Sequence, residues 1–125
     1  MQTAEAQAVL IVDDDSEFRR SLGKIMQRAG YSVSMAADGD QASEMVETQD
    51  FALILTDVHM PGMSGLALLK RIKEASPKSQ VIIITVNGEG DTYQQAMLSG
   101  AFAFLNKPVK MKKVLTYARM ALQNN

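Results

Sequence analysis

The stretch Val9-Leu10-Ile11-Val12-Asp13-Asp14-Asp15-Ser16-Glu17 (VLIVDDDSE) drives four apolar residues straight into four acids within five positions. A continuous apolar run suits a parallel strand covered on both faces. Adjacent carboxylates repel one another, so the end of such a strand calls for a partner of opposite charge. ALIL (52–55) and VIII (81–84) share the apolar character.

Working outward, strands are expected at Ala8–Val12, Tyr31–Ala36, Ala52–Thr56, Val81–Thr85 and Ala103–Leu105. In YSVSMA, Tyr31, Val33 and Met35 share one face, the alternation of an edge strand. Helical spacing fills the gaps. Phe18, Leu22, Ile25, Met26 and Ala29 mark a first helix, stopped at Gly30. Ala42, Met45 and Val46 mark a second; Leu68, Leu69 and Ile72 mark a third, with Ser64 as its cap. Asp91–Ser99 is a weak fourth, with Ala96 and Met97 its apolar pair and Gly100 its end. Met111, Val114, Leu115, Ala118 and Leu122 form the stripe of the last. Strand and helix alternate five times. The expected fold is α/β: one doubly wound parallel sheet of five strands with right-handed crossovers and five helices.

The 125 residues suit one domain with its own core, spanning 1–125, with residues 1–7 read as a flexible lead. A net charge of −1 offers no basic field for nucleic acid or an anionic membrane. The absence of cysteine excludes disulfide scaffolds and thiolate metal sites, and fits a cytoplasmic location. MQTAEAQA lacks the basic and apolar regions of a signal peptide, and no apolar run approaches a membrane span. The nine methionines read as core filler.

The residues directly after each central strand carry the chemistry. Val12 is succeeded by Asp13 and Asp14, Thr56 by Asp57, VIII by Thr85, and AFAFLN by Lys107. In an open parallel sheet these ends share one edge, where ligands bind near the topological switch point. Three carboxylates, a hydroxyl and an ammonium therefore converge. Carboxylates alone would raise one another's pKa values; with a hard divalent cation they become an oxygen-ligand site, of the kind Mg²⁺ favours. Each residue alone has an ordinary reading as a cap, turn acid or solvated charge, and Asp15 and Ser16 are read as helix-starting residues. The conjunction at four strand ends is what points to a site.

IVDDDSEFRR (11–20), LILTDVHMPGMSGLALLKRIK (53–73), VIIITV (81–86) and GAFAFLNKP (100–108) together resemble the response-regulator receiver domain of two-component signalling. The resemblance implies a flavodoxin-like receiver fold with strand order 2-1-3-4-5. It implies that Asp57 takes a phosphoryl group from a phosphohistidine or an acyl phosphate. Mg²⁺, with Mn²⁺ as a substitute, is then held by Asp14, Asp57 and the backbone carbonyl of His59, and Asp13 holds a metal-bound water. Lys107 neutralises a phosphoryl oxygen, Thr85 hydrogen-bonds another, and the Lys107–Pro108 bond is cis. Thr85 moves toward the phosphoryl group and Phe104 turns into the vacated space. Val86 stands where a small residue is common, and its β-branched bulk near the route to the pocket is expected to slow access of water or phosphatase. Phe104 stands where tyrosine is frequent and is expected to favour an inward ring already without phosphate. The His59 ring is read as a loop side chain, with a modest influence on water access that Asn87 shares.

The implied partners are a sensor histidine kinase or phosphotransfer protein and a downstream effector domain or protein, with phosphorylation-dependent dimerisation. Output is expected through the fourth helix, last strand and last helix, without direct nucleic-acid or membrane contact. GAFAFLNKP resembles receivers of transcriptional activators, and the chain reads either as a stand-alone receiver or as part of a larger regulator. No catalysis beyond its own phosphorylation and dephosphorylation is implied.

Two rivals share some of these features. A haloacid-dehalogenase-type phosphohydrolase also runs an apolar strand into Asp-x-Asp, here Asp13 and Asp15, but has Thr or Val where this chain has Glu17. A constitutive interaction module with the receiver fold would not need the intact acid set. An EF-hand fails because Phe18 replaces its glycine, and no phosphate-binding P-loop is present.

Overall fold

A computed structural model of the chain describes residues 6–86, 88 and 90–123. The elements run β1 (Ala8–Val12), α1 (Ser16–Arg28), β2 (Ser32–Ala36), α2 (Gly39–Thr48), β3 (Leu53–Thr56), α3 (Gly65–Ala75), β4 (Gln80–Thr85), α4 (Asp91–Leu98), β5 (Ala103–Asn106) and α5 (Met111–Gln123). All strand pairs are parallel, in the order β2-β1-β3-β4-β5. The expected architecture and order are both present, and β2 is the edge strand its alternation indicated.

Two apolar layers sandwich the sheet. Leu10, Val12, Ile54, Val81 and Ile83 face Ala42 and Val46 of α2, Leu68, Leu69 and Ile72 of α3, and Ala96 of α4. Val9, Ile11, Leu53, Leu55, Ile82 and Ile84 face Leu22 and Met26 of α1 and Val114, Ala118, Ala121 and Leu122 of α5. Alternate residues of one strand thus feed opposite layers, which is why the central strands are apolar throughout. Each fully buried large side chain contributes roughly 1.5–3 kcal/mol.

The helix boundaries reflect local chemistry. Asp15 caps α1 by accepting from the amides of Glu17 and Phe18, and Ser64 caps α3 by accepting from that of Ala67. Gly30 and Gly100 lie just past α1 and α4 at φ of 100° and 103°, the left-handed geometry that lets the chain turn back into the next strand. α4 departs from its expected anchoring. Ala96 is its one buried residue, whereas Met97 is exposed, so the pair contributes a single anchor. Met26 fills core space as the methionine reading expects, but Met97 and Met120 are exposed.

Candidate functional site

The sheet itself carries the site residues into place. Its hydrogen-bond ladder continues one residue beyond the strands. The amide of Asp13 donates to Ala36 O at 3.2 Å, that of Asp57 to Val12 O at 3.1 Å, and that of Lys107 to Thr85 O at 2.8 Å. The backbones of all three are therefore pinned to a neighbouring strand at one edge, on either side of the β1–β3 switch point.

There the side chains converge. Lys107 Nζ donates to Asp13 Oδ2 at 2.7 Å and to Asp57 Oδ2 at 2.9 Å. Asp57 Oδ1 accepts from Thr85 Oγ1 at 2.6 Å and from the His59 amide at 3.0 Å. Asp13 Oδ1 accepts from the Asp15 amide at 2.9 Å, and the Arg19 guanidinium donates to the Asp13 carbonyl. Asp13, Asp57 and Thr85 are buried, and Lys107 is mostly so. The ammonium is the opposite charge that the VLIVDDD stretch called for.

Burial pushes the Asp57 carboxyl up, but hydrogen bonds from Thr85, Lys107 and the His59 amide outweigh it and hold the group below the ordinary aspartate value. In Asp13 burial prevails over its bonds to Lys107 and the Asp15 amide, and the carboxyl is raised. Burial alone would lower Lys107; its two carboxylate partners raise it instead. The pocket is thus built around an ionised Asp57 and a charged lysine.

Asp14 and the side chain of His59 are exposed, and Asp14 makes no side-chain hydrogen bond among the described residues. Asp15 is outside the cluster, because its carboxylate is committed to the start of α1. That removes the second acid of the phosphohydrolase pattern. The Lys107–Pro108 bond is cis, as the resemblance implies. Val86 is half exposed in the turn after β4. Phe104 is half-buried, packed on the α2–α4 layer, with its ring edge-on to Tyr93 at a centroid distance of 5.4 Å. Asn87 lies outside the described residues, as do residues 1–5 of the expected lead.

The sequence of residues 9–119 matches the family model described as the response regulator receiver domain. This chain belongs to that family. Receiver domains of this kind are phosphorylation-activated switches of two-component signalling. They pair with histidine kinases and effector domains, and they use Mg²⁺ for phosphorylation. The chain is 36% identical over 114 residues to the DNA-binding transcriptional regulator NtrC of Klebsiella pneumoniae, covering 91% of this chain and 24% of that protein. It is 34% identical over 116 residues to a cyclic di-GMP phosphodiesterase of Thermotoga maritima, covering 93% of this chain and 31% of the other. The chain thus spans only a quarter to a third of these relatives. Among solved structures, a CheY-like receiver domain protein from Methanospirillum hungatei superposes with a TM-score of 0.93 at 28% identity, covering 95% of each chain. The beryllofluoride-activated NtrC4 receiver domain dimer superposes at 0.88 with 35% identity, covering 94% of this chain and 97% of the other.

The chemistry of these residues decides whether they suit Mg²⁺. Among the described residues no three His, Cys, Asp or Glu side chains are gathered as a ready-made metal cage. Mg²⁺ does not need one, since it keeps several waters and takes one or two carboxylates. The donors here are all hard oxygens, and the Asp14 carboxylate is uncommitted. The fit is good.

Sequence reasoning missed two contributors. Arg19 and Phe18 both reach the site from the first turn of α1, the former to the Asp13 carbonyl and the latter to Lys107. Nothing in their spacing distinguishes them from ordinary helix-face residues. No helix among the described residues is long and apolar enough to cross a membrane.

Proposed function

We propose that Asp57 is the phosphoacceptor of this domain, receiving the group from a histidine kinase or phosphotransfer protein in an Mg²⁺-dependent reaction. The observation that carries the reading is the convergence of Thr85, Lys107 and the His59 amide on the Asp57 carboxylate. An ionised carboxylate oxygen attacks phosphorus, the bond from phosphorus to the donor's nitrogen or acyl oxygen breaks, and the donor leaves with that electron pair. Lys107 lies close enough to Asp57 to neutralise charge on a transferring phosphoryl group, and Thr85 is placed to bond another of its oxygens. Asp14, Asp57 and the His59 carbonyl would hold Mg²⁺, with Asp13 acting through a water. The bound ion supplies charge neutralisation for the incoming phosphoryl group.

In this reading the domain works in the cytoplasm and catalyses only its own phosphorylation and dephosphorylation. It passes the signal through α4, β5 and α5 to an effector, in transcriptional control as in NtrC, with dimerisation on phosphorylation. Val86 and Phe104 modulate the switch. The test is incubation with Mg²⁺ and an acyl phosphate, then peptide mapping. One acid-stable, base-labile adduct on Asp57 is expected, lost in Asp57→Asn and requiring far more Mg²⁺ in Asp14→Ala. An adduct on Asp13 would instead favour the phosphohydrolase reading, and an Asp14→Ala protein with normal Mg²⁺ dependence would overturn the ligand set.

A further inference from the structure

Lys107 has three N–H donors, and two of them are taken by Asp13 and Asp57. Among the described residues the third has no hydrogen-bond acceptor. What faces the ammonium is the ring of Phe18, with Nζ 4.2 Å from the centroid. A cation at that distance is attracted by the negative face of the ring. Phe18 is held there by the start of its helix. Asp15 Oδ1 accepts from its amide at 3.2 Å, and the half-buried ring packs on the α1–α5 layer.

We propose that Phe18 is a positioning residue for phosphoryl transfer, its ring face holding the Lys107 ammonium over the acceptor carboxylate. The inference rests on the reading of Asp57 as acceptor and Lys107 as its neutralising charge. An ammonium on a four-carbon stem is strongly hydrated and flexible. A ring across its remaining face excludes water without fixing a hydrogen-bond direction. The ammonium therefore stays in the pocket, yet can slide toward a phosphoryl oxygen when one arrives. An aliphatic side chain of similar bulk fills the space but does not attract the charge.

That difference sets the experiment. The full chain, with Mg²⁺ and acetyl phosphate as donor, is compared with Phe18→Leu and Phe18→Trp. Phe18→Leu should be phosphorylated about threefold to tenfold more slowly, and Phe18→Trp should recover most of the rate. The Mg²⁺ concentration for half-maximal rate should not rise in either, because Phe18 supplies no oxygen to the proposed metal site. In NMR spectra the ε-methylene protons of Lys107 should be displaced upfield by the ring in the wild-type and Phe18→Trp proteins and return to ordinary positions in Phe18→Leu. Should Phe18→Trp fail to fold, Phe18→Tyr serves as the rescue. A packing role alone gives the reverse order, with leucine tolerated and tryptophan damaging, and would overturn the proposal. So would undisplaced Lys107 protons in the wild type. A wild-type chain that forms no adduct on Asp57 would refute the acceptor assignment itself; a normal adduct indifferent to Phe18 would refute only this inference.

Discussion

Thr85 donates its hydroxyl to Asp57 Oδ1 across 2.6 Å, joining the ends of β4 and β3 with no solvent exposure of the threonine. The resemblance implies a Thr85 that moves in once a phosphoryl group is present, yet here it already bonds Asp57. On the proposed reading of Asp57 as acceptor, an incoming phosphoryl group meets a carboxylate that Thr85 already holds. Thr85→Val keeps the shape and removes the donor, so metal-free stability should fall by about 1.5–3 kcal/mol, as for a hydrogen bond to a charged group. Urea denaturation measures it, and an unchanged midpoint would show that the bond contributes nothing.

Lys107 is the counter-charge for two buried carboxylates. Removing it as Lys107→Met leaves Asp13 and Asp57 facing each other without compensation. The metal-free protein should lose about 3 kcal/mol at neutral pH. Saturating Mg²⁺ should recover much of that loss, because the ion replaces the missing charge. Denaturation curves with and without Mg²⁺ decide it; equal losses in both would mean that charge is not the cause.

The two acids should respond oppositely to pH in the metal-free protein. The Asp57 carboxyl is held below its reference value of 3.8, so its stabilising contribution is present above that pH and disappears as pH falls through the lowered value. Asp13 is raised above 3.8, so its ionised form costs stability at higher pH, and protonation relieves that cost. Relative to Asp57→Asn, wild type should lose stability on acidification; relative to Asp13→Asn, it should gain. Urea midpoints of the three proteins across the acid range test the signs, and parallel curves would contradict them.

Gly88 is buried, and a Cβ built on it would collide with the Phe104 ring and press on Thr85 Cγ2. Its φ is not in the left-handed region, so the restriction is steric. Gly88→Ala should displace Phe104 from its edge contact with Tyr93 and cost about 1–3 kcal/mol through overpacking. Shifted Tyr93 ring resonances with a lowered urea midpoint are expected; unchanged resonances would show that the ring does not depend on this glycine.

α4 has one buried residue, and Gly90 at its N-cap supplies no side-chain acceptor for the free amides, while Leu98 is 88% exposed. Few anchors mean a low opening free energy. Its amides should exchange fastest among the five helices and respond most to beryllofluoride. Changes confined to α1 and α2 would contradict an output face at α4, β5 and α5.

The strands are legible in the sequence because VLIV, ALIL and VIII serve both layers and leave no polar face to confuse the pattern. Boundaries slip where polar residues join the ladder: Gln80 opens β4 and Asn106 closes β5, each lying outside the apolar run. Asp13, Asp57, Thr85 and Lys107 are legible from their places at or just past the ends of β1, β3, β4 and β5. Phe18 is not, because a ring on a helix looks the same in sequence whether it faces a core or a cation. Gly88 is equally hidden, since its constraint comes from Phe104 across the sheet end.

The contacts of Lys107 span 94 residues to Asp13 and 50 to Asp57, and Thr85 reaches Asp57 across 28. No local segment can assemble such a cluster in advance of the sheet. With Asp57 as the proposed acceptor, chemical competence there is therefore a report on whether the chain has folded. A donor encountering an unfolded or half-folded copy finds a lone aspartate with neither lysine nor threonine beside it. On that assignment the phosphorylated population is restricted to molecules whose β1, β3, β4 and β5 are already aligned, and a destabilising substitution far from the pocket will lower the labelling rate in step with the fraction folded.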